Sequence, residues 1–509
     1  MVLSLAADIH SFSTVKMALE GADLDVSSSD ISSSDVSSYT REGLTPLSWA
    51  AKGGHEAVVK LLLERADVKP NTADEYGQTP LFIAAGEGHE GVVKMLLERG
   101  DVNADPANED GQTPLWIAVE KGHEGVVKML LERNDINPDT AANNGETPLF
   151  VAAYEGHEGV VKMLLERDNI NPNATANYAR GQTPLLIAAD KGHEGIVKML
   201  LERVDVNPNT ADNRGETSLF LAANHGHEGV VKILLERNDI NPNTAANDDR
   251  TPLFVAASYG IEGIVEMLLE RDDVNPNTAD NGGETVLFIA AHNGHEGIVK
   301  MLLGRVDVNP NSAGNSGVTP LSGAAWEGHE GIVKILLEQG DINPDAAGDD
   351  GQTPLFEAAW SGHKGIVKML LDRNDVNPNA VNKDGETPLI AAVQSEREGV
   401  VEMLLERDDV NPNIANKCGQ TPLSEAACRG HEGIVKMLLE RVDINSDMTD
   451  LPCETALSQA LGKKRHAIVK LLSERKTLIP RSDGDESAAP FSPESPDQDQ
   501  PPPKKIRRF

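Results

Sequence analysis

The amino-acid sequence predicts an all-α protein assembled from repeated helix–turn–helix units, and three observations lead to that class. A Thr-x-Leu motif recurs thirteen times, at intervals of 34 residues apart from one interval of 36. Each copy carries two apolar segments with helical spacing, and Asn, Asp, Pro and Gly are concentrated between copies. A fixed period of this length is typical of a solenoid, in which each unit completes its core against its neighbours. The motif threonines are Thr45, Thr79, Thr113, Thr147, Thr183, Thr217, Thr251, Thr285, Thr319, Thr353, Thr387, Thr421 and Thr455.

The first helix of the unit begins at the motif threonine, as residues 79–112 illustrate. Thr79 is a good N-cap and Pro80 a good first helical residue, since Pro lacks an N–H that would otherwise be left unpaired. Ala84 is small enough to allow close packing, and Gly88 supplies a left-handed residue that ends the helix. We therefore expect a helix of about two turns.

The second helix is opened by His89 and carries an apolar stripe that includes Val92 and Leu96. Glu90 is expected in its first turn and Arg99 in its last, where both charges suit the helix dipole. The polar segment that follows is expected to form a protruding, turn-bearing loop that leads to the next threonine.

A Gly-His pair before a helix raises the question of a metal site. Zinc ligands must approach one another to within roughly 3.5 Å, whereas equivalent residues on stacked helices lie about 8 to 10 Å apart. The sequence also lacks H-E-x-x-H and G-x-S-x-G, so we expect no metal, no cofactor and no catalytic residue. A structural role is predicted for the repeated histidines, which are His55, His89, His123, His157, His193, His227, His295, His329, His363 and His431.

The pattern G-x-T-P-L-x-x-A-A-x-x-G-H followed by x-x-x-V-x-x-L-L resembles the ankyrin repeat, and the likeness covers residues 41–475. It implies an all-α ankyrin solenoid of helix-turn-helix units with protruding loops, comprising about 13 repeats plus a degenerate N-terminal cap. It also implies a non-enzymatic scaffold or adaptor that binds a protein on its concave surface. One departure concerns the place after Thr-Pro-Leu, where the family commonly has His. Here the place is usually apolar, as at Phe82 and Trp116, and an apolar ladder is expected instead.

Two alternatives remain open from the sequence. The near-identical copies resemble ankyrin arrays of filamentous fungi, which often form the recognition end of NACHT-type signalling ATPases, although no G-x-x-x-x-G-K-[ST] loop occurs here. An upstream reading frame that encodes a nucleotide-binding domain would favour this derivation. The second alternative is an enzyme with its site on the concave face. It would need converging, non-repeating His, Cys or Asp residues, which the sequence does not offer.

Composition limits the partners. The formal net charge is -35, which disfavours direct contact with nucleic acid, and no apolar run is long enough to span a membrane. Three cysteines, Cys418, Cys428 and Cys453, suit reduced thiols in an intracellular protein better than a disulfide framework. We expect a monomer, cytoplasmic or nuclear, whose protein partner presents a basic surface.

The copies differ most at positions seven and eight after the motif threonine and three to five before the next one, which ankyrin proteins use for binding. Six of the nine Trp and Tyr residues occupy these places, and such side chains are frequent interface anchors. The predicted partner-binding residues are the aromatic Tyr76, Tyr154, Tyr178, Tyr259, Trp326 and Trp360, and the charged Glu120, Lys121, Glu155, Asp190, Lys191, Arg214 and Glu327.

The remaining segments are expected to lie outside the regular array. Residues 1–26 resemble a degenerate capping repeat, residues 27–40 form a Ser-rich loop, and residues 476–509 have the composition of a disordered, acidic and Pro-rich tail. The tail ends in a basic cluster that resembles a short nuclear-import signal, although such runs are common and an inert solubilising tail is the alternative. The cluster consists of Lys504, Lys505, Arg507 and Arg508.

Overall fold

The computed structural model describes residues 44–177, 180–447 and 455–478. Within these ranges it contains 26 α-helices and no β-strand, only three isolated bridges. The all-α prediction is therefore confirmed. The predicted N-terminal cap, the Ser-rich loop, Tyr178, Cys453 and the C-terminal basic cluster lie outside the described residues. The chain divides into two compact units, residues 1–410 and residues 411–509.

Unit 1 contains eleven helix pairs, in which the odd-numbered helix is the first of its repeat and the even-numbered helix the second. The helices are α1 (Pro46–Lys52), α2 (Glu56–Leu63), α3 (Pro80–Gly86), α4 (Glu90–Glu98), α5 (Pro114–Glu120), α6 (Glu124–Leu131), α7 (Pro148–Glu155), α8 (Glu158–Leu165), α9 (Pro184–Lys191), α10 (Glu194–Leu201), α11 (Ser218–His225), α12 (Glu228–Leu235), α13 (Pro252–Ser258), α14 (Glu262–Leu269), α15 (Val286–His292), α16 (Glu296–Leu303), α17 (Pro320–Glu327), α18 (Glu330–Leu337), α19 (Pro354–Ser361), α20 (Lys364–Leu371), α21 (Pro388–Gln394) and α22 (Glu398–Leu405). Unit 2 contains two further pairs: α23 (Pro422–Arg429), α24 (Glu432–Glu440), α25 (Ala456–Gly462) and α26 (His466–Leu478).

The ends of the first helices follow the predicted chemistry. The Thr79 hydroxyl accepts a hydrogen bond from the backbone N–H of Phe82 at 3.3 Å, and the other twelve motif threonines cap their helices in the same way. Gly88 has a φ of 75°, and the next residue, His89, donates its backbone N–H to the carbonyl of Ala84 at 3.0 Å. The helix therefore closes through a left-handed glycine, as the sequence predicts.

The core of each repeat combines both helices. Ala84, Val92 and Leu96 have no exposed surface, and Phe82 is 5% exposed. The apolar ladder is confirmed where the other copies carry a large side chain at this place. Trp116 is also buried, and its indole N–H donates to the carbonyl of Glu146 in the next repeat at 3.0 Å. The apolar side chains between neighbouring helix pairs are buried from water, which explains why the repeats stabilise one another.

An arginine after most second helices joins consecutive repeats, which differs from its expected role at the helix dipole. After α18 this place is held by Gln339. Helix α4 ends at Glu98, and Arg99 is extended rather than helical. Its Nη1 donates to the carbonyl of Leu63 at 2.9 Å, while Nε and Nη2 contact the carboxylate of Asp101. The guanidinium of Arg99 thus satisfies a carbonyl at the end of α2, the second helix of the preceding repeat, and links the two repeats.

The Asn-Pro-Asn segment of the loop provides a second link that the sequence reading did not identify. In unit 1, Asn209 donates from Nδ2 to the carbonyl of Asp239 at 2.7 Å and accepts the N–H of Asn241 at 2.7 Å. One side-chain amide therefore pairs with two backbone groups of the next loop. These bonds replace a β-ladder as the means of registering the loops.

Candidate functional site

The display surface is defined here by positions seven and eight after the motif threonine, with the loop positions three to five before it. Five predicted aromatic residues on this surface are described, and all are exposed. Their exposed fractions are 56% for Tyr76, 45% for Tyr154, 61% for Tyr259, 43% for Trp326 and 37% for Trp360. Other aromatic side chains, such as Trp116 and Phe150, are buried in the repeat core. The exposed rings therefore lie at the variable positions of the repeat, whereas the buried rings lie at its core positions.

The repeated histidines anchor the backbone under this surface. Nε2 of His193 lies 3.1 Å from the carbonyl oxygen of Tyr154, and Nε2 of His363 lies 2.9 Å from that of Trp326. In each case the ring of one repeat donates to position seven of the preceding repeat. Arg397, which replaces the histidine after Trp360, makes the equivalent bond from Nε at 3.1 Å. The constant Gly-His pair thus fixes the carbonyl of the variable residue.

This bond gives eight of the ten repeated histidines the structural role that the sequence predicted. Carbonyl contacts of the same kind are made by His89, His123, His157, His227, His295 and His329, at 2.9 to 3.2 Å. In the described ranges, no three His, Cys, Asp or Glu side chains are placed to hold a metal ion together. Cys418 is exposed and Cys428 partly buried, both as free thiols.

Four side chains of three consecutive repeats meet on the display surface. The ammonium of Lys191 lies over the ring of Tyr154, 4.9 Å from its centroid. Asp190 contacts both Lys191 at 3.6 Å and Nδ1 of His225 at 3.2 Å. The structure therefore brings together three predicted residues and one, His225, that the sequence reading omitted although it occupies position eight. A Lys held over a Tyr ring presents a mixed aromatic and cationic patch.

A groove of about 300 Å³ opens beside the first described repeats. Its lining includes the predicted residues Tyr76 and Lys121, together with Lys52 and Glu87 at other display positions. Lys121 also contacts Glu120 at 2.9 Å. Charges of both signs border the groove, so this part of the surface has no single polarity.

The remaining predicted residues are accessible but isolated from those groups. Glu155 and Arg214 are exposed, and among the described residues neither forms a hydrogen bond or ion pair with another predicted residue. Glu327 is exposed and lies 3.9 Å from Nε2 of His292. His292 occupies position seven of its repeat but is not among the residues predicted from the sequence. Trp360 stacks on Phe356 of its own helix, with ring centroids 6.5 Å apart. The predicted residues thus occupy a few equivalent repeat positions and form several local groups.

Sequence reasoning also missed Glu357, which lies one helical turn before Trp360 on α19. Its side chain is only 8% exposed, and its Oε2 is buried without a hydrogen-bond partner. Burial, together with the nearby charge of Asp350, raises the pKa of Glu357 to about 7. A signal was available, because unit 1 has an apolar or small residue at this position in every other repeat, as in Ile187 and Leu221.

A profile of the ankyrin repeat matches seven overlapping segments of the chain: residues 3–106, 101–176, 139–212, 185–280, 272–347, 341–414 and 408–483. The matches cover most of the sequence. The chain belongs to the ankyrin repeat family. Ankyrin repeats are generally protein–protein interaction modules, and the family is typically non-enzymatic. A search of curated proteins found no match.

In the part of the chain that the structure describes, no helix of this ankyrin array is long and apolar enough to cross a bilayer. The ankyrin helices are seven to nine residues long except for α26, which has 13. A membrane-spanning helix needs roughly 20 apolar residues.

Proposed function

We propose that this ankyrin array is a non-enzymatic scaffold or adaptor that binds a protein partner on its display surface. The observation that carries the proposal is the exposure of Tyr76, Tyr154, Tyr259, Trp326 and Trp360 at the variable positions of otherwise near-identical repeats. Large rings bury much apolar area when a partner docks, and they lose little conformational entropy in doing so.

The backbone beneath the rings supports this assignment. His193 and His363 hold the carbonyls of Tyr154 and Trp326 in place, and Arg397 does the same for Trp360. A preorganised surface reduces the ordering cost of association. In ankyrin proteins this side of the stack is concave, and we assign the concave surface as the partner-binding face.

Charge favours a partner with a basic surface. The chain carries 81 acidic and 46 basic residues, and the exposed Glu155 and Glu327 contribute acidic side chains to the display surface. Attraction between opposite charges accelerates the encounter with a basic partner. Repulsion between like charges disfavours acidic partners such as nucleic acid. We assign the array as a monomer with one extended binding face and no cofactor.

The test compares two variants of the full chain in an affinity capture followed by mass spectrometry. The first changes Tyr154, Tyr259, Trp326 and Trp360 to Ala. The matched control changes Val204 and Val306 to Ala, because both are fully exposed apolar residues in loops that follow second helices. We expect the aromatic variant to lose partners that the unaltered array and the valine variant both retain. Equal recovery by all three proteins would refute the assignment of the display surface.

A further inference from the structure

Two repeats carry a glutamate at the fourth position after the motif threonine, one in each unit, and their surroundings differ. In unit 2, Glu425 is 4% exposed and its Oε1 accepts a hydrogen bond from Nε of Arg429 at 2.6 Å, one turn later on α23. In unit 1, Glu357 is buried to a similar degree, but the residue one turn later is Ser361. The cation that accompanies this glutamate in one repeat is thus missing from the other.

No group elsewhere in the described part of unit 1 replaces that cation. Oε2 of Glu357 has no hydrogen-bond partner, and no described Lys, Arg or His forms an ion pair with its carboxylate. The charged residue that acts on Glu357 is Asp350, an acid, and together with burial it raises the pKa of Glu357 to about 7. A buried carboxylate without a cation or a full set of hydrogen bonds is costly.

The register of the repeats places Glu357 beside an exposed indole. A Cβ atom built on Gly86, at position seven, would lie 3.0 Å from Cγ1 of Ile117, at position four of the next repeat. A Cβ atom built on Gly323, at position four, would lie 3.6 Å from Cβ of His292, at position seven of the preceding repeat. By the same equivalence, position four of the repeat that begins at Thr353 adjoins position seven of the repeat that begins at Thr319.

These positions are held by Glu357 and Trp326. Trp360 lies one turn beyond Glu357 on α19, and both indoles are partly exposed, at 43% for Trp326 and 37% for Trp360. Tryptophan is the aromatic side chain that attracts cations most strongly. A carboxylate with two accessible indoles at adjoining positions has the composition of a receptor for an organic cation.

We propose that Glu357, flanked by Trp326 and Trp360, is a recognition site for an arginine or lysine side chain of the protein partner, which supplies in trans the cation that Arg429 supplies to Glu425 in cis. This inference rests on the proposed function and specifies the chemistry of one contact. The incoming cation pairs with the Glu357 carboxylate and lies against the indoles. Guanidinium suits the site best, because its plane stacks on aromatic rings and its N–H groups pair with carboxylate oxygens.

The experiment uses the full chain labelled with 5-fluorotryptophan. It has four fluorine NMR resonances, because the sequence contains only Trp49, Trp116, Trp326 and Trp360, and single Trp→Phe variants assign them. The probe is N-acetyl-arginine amide, and its uncharged isostere N-acetyl-citrulline amide is the control. We expect arginine, but not citrulline, to shift the Trp326 and Trp360 resonances in a saturable manner while the buried Trp116 resonance stays unchanged.

Three variants test the role of the carboxylate. E357Q should weaken the arginine response at least roughly tenfold, and S361R should abolish it by supplying the cation in cis. E425Q is the matched control and should respond like the unaltered chain. Equal shifts with citrulline, a full response in E357Q, or no response to arginine in the unaltered chain would each overturn the proposal. Because E357Q keeps the side-chain volume, it also remains informative if S361R does not fold.

The outcome also separates this site from the proposed function. If E357Q responds fully to arginine while the four-residue aromatic variant loses its partners, the cation site is wrong and the display surface stands. If E357Q abolishes the arginine response while the aromatic variant recovers every partner, the site binds cations but the proposed docking face is wrong.

Discussion

Nε2 of His363 lies 2.9 Å from the backbone carbonyl of Trp326, 37 residues earlier in the sequence. The constant histidine of one repeat therefore holds the variable residue of the preceding repeat. This bond connects the constant residues that stabilise the repeat to the residues at its variable positions. The Gly-His pair and the display surface are parts of one structural arrangement.

Replacing His363 with Ala should release that carbonyl and destabilise the repeat that begins at Thr319 by about 1 kcal/mol, the usual net contribution of a hydrogen bond. Native-state hydrogen exchange should show faster exchange at the end of α17. Lys368→Ala is the control. Lys368 is exposed and lies on α20, the helix that begins directly after His363. If both variants exchange alike, the histidine does not anchor the display helix.

Four loop positions have Asp where most copies have Asn, and three of them, Asp105, Asp139 and Asp345, should be correctable because one carboxylate oxygen of each is buried without a hydrogen-bond partner. Asp139 accepts the backbone N–H of Asn171 at 2.8 Å, but its Oδ1 is buried without a partner, and burial raises the pKa of its carboxyl. An amide at this place also donates to the next loop, as Asn277 does to the carbonyl of Asp307 at 2.7 Å. Asp139→Asn should therefore stabilise its repeat by about 1 kcal/mol.

The reverse substitution, Asn277→Asp, is the matched control and should destabilise its own repeat by a similar amount. Hydrogen exchange resolved by mass spectrometry would report both effects, because repeats of a solenoid open locally. Changes of the same sign in the two variants would show that the bidentate amide is not what registers the loops.

Asp249 occupies a loop position that is glycine in most other described repeats, and its φ is 63°. The left-handed conformation costs an L-residue about 1 kcal/mol relative to glycine. Asp249→Gly should raise the free energy of unfolding of its repeat by up to that amount, since the greater flexibility of glycine in the unfolded chain offsets part of the gain. Hydrogen exchange of residues 251–271 would measure this effect.

Gly215→Ala tests the same position in the opposite direction. Gly215 has a φ of 78°, and a Cβ there would lie 2.9 Å from Oδ1 of Asn247. We expect a loss of more than about 1 kcal/mol, because steric contact adds to the backbone cost. An alanine variant as stable as the unaltered chain would contradict the requirement for glycine.

Glu357 should make the stability of its repeat depend on pH. Its pKa is about 7 in the folded chain against an ordinary value of 4.5, so the folded state binds the proton more tightly. Its stability contribution is complete below pH 4.5 and is lost as pH rises through 7. Relative to E357Q, the unaltered chain should lose about 2 to 3 kcal/mol between pH 5 and 8.5. Hydrogen exchange of residues 353–371 at both pH values would check this, and a pH-independent difference would contradict it.

Binding of a basic protein partner should weaken as salt rises. Exposed charges are screened over about 10 Å at 0.1 M ionic strength and about 3 Å at 1 M. The association rate should fall more than the dissociation rate changes, since long-range attraction acts mainly on encounter. Surface plasmon resonance between 0.05 and 0.5 M NaCl would separate the two rates. Salt-independent association would contradict a basic partner.

The sequence by itself determined the period, the threonine caps, the left-handed glycines and the apolar core, because each depends on residues within one repeat. It also located the variable positions, since thirteen copies can be compared with one another. Only the tertiary structure decided which carbonyl each histidine and arginine contacts, and that Glu357 is buried without a cation while Glu425 pairs with Arg429. The histidine and arginine contacts join residues 36 to 39 positions apart and exist only when neighbouring repeats stack in one register. The composition of a single repeat cannot specify such contacts, because these histidine and arginine side chains bind backbone carbonyls of the preceding repeat.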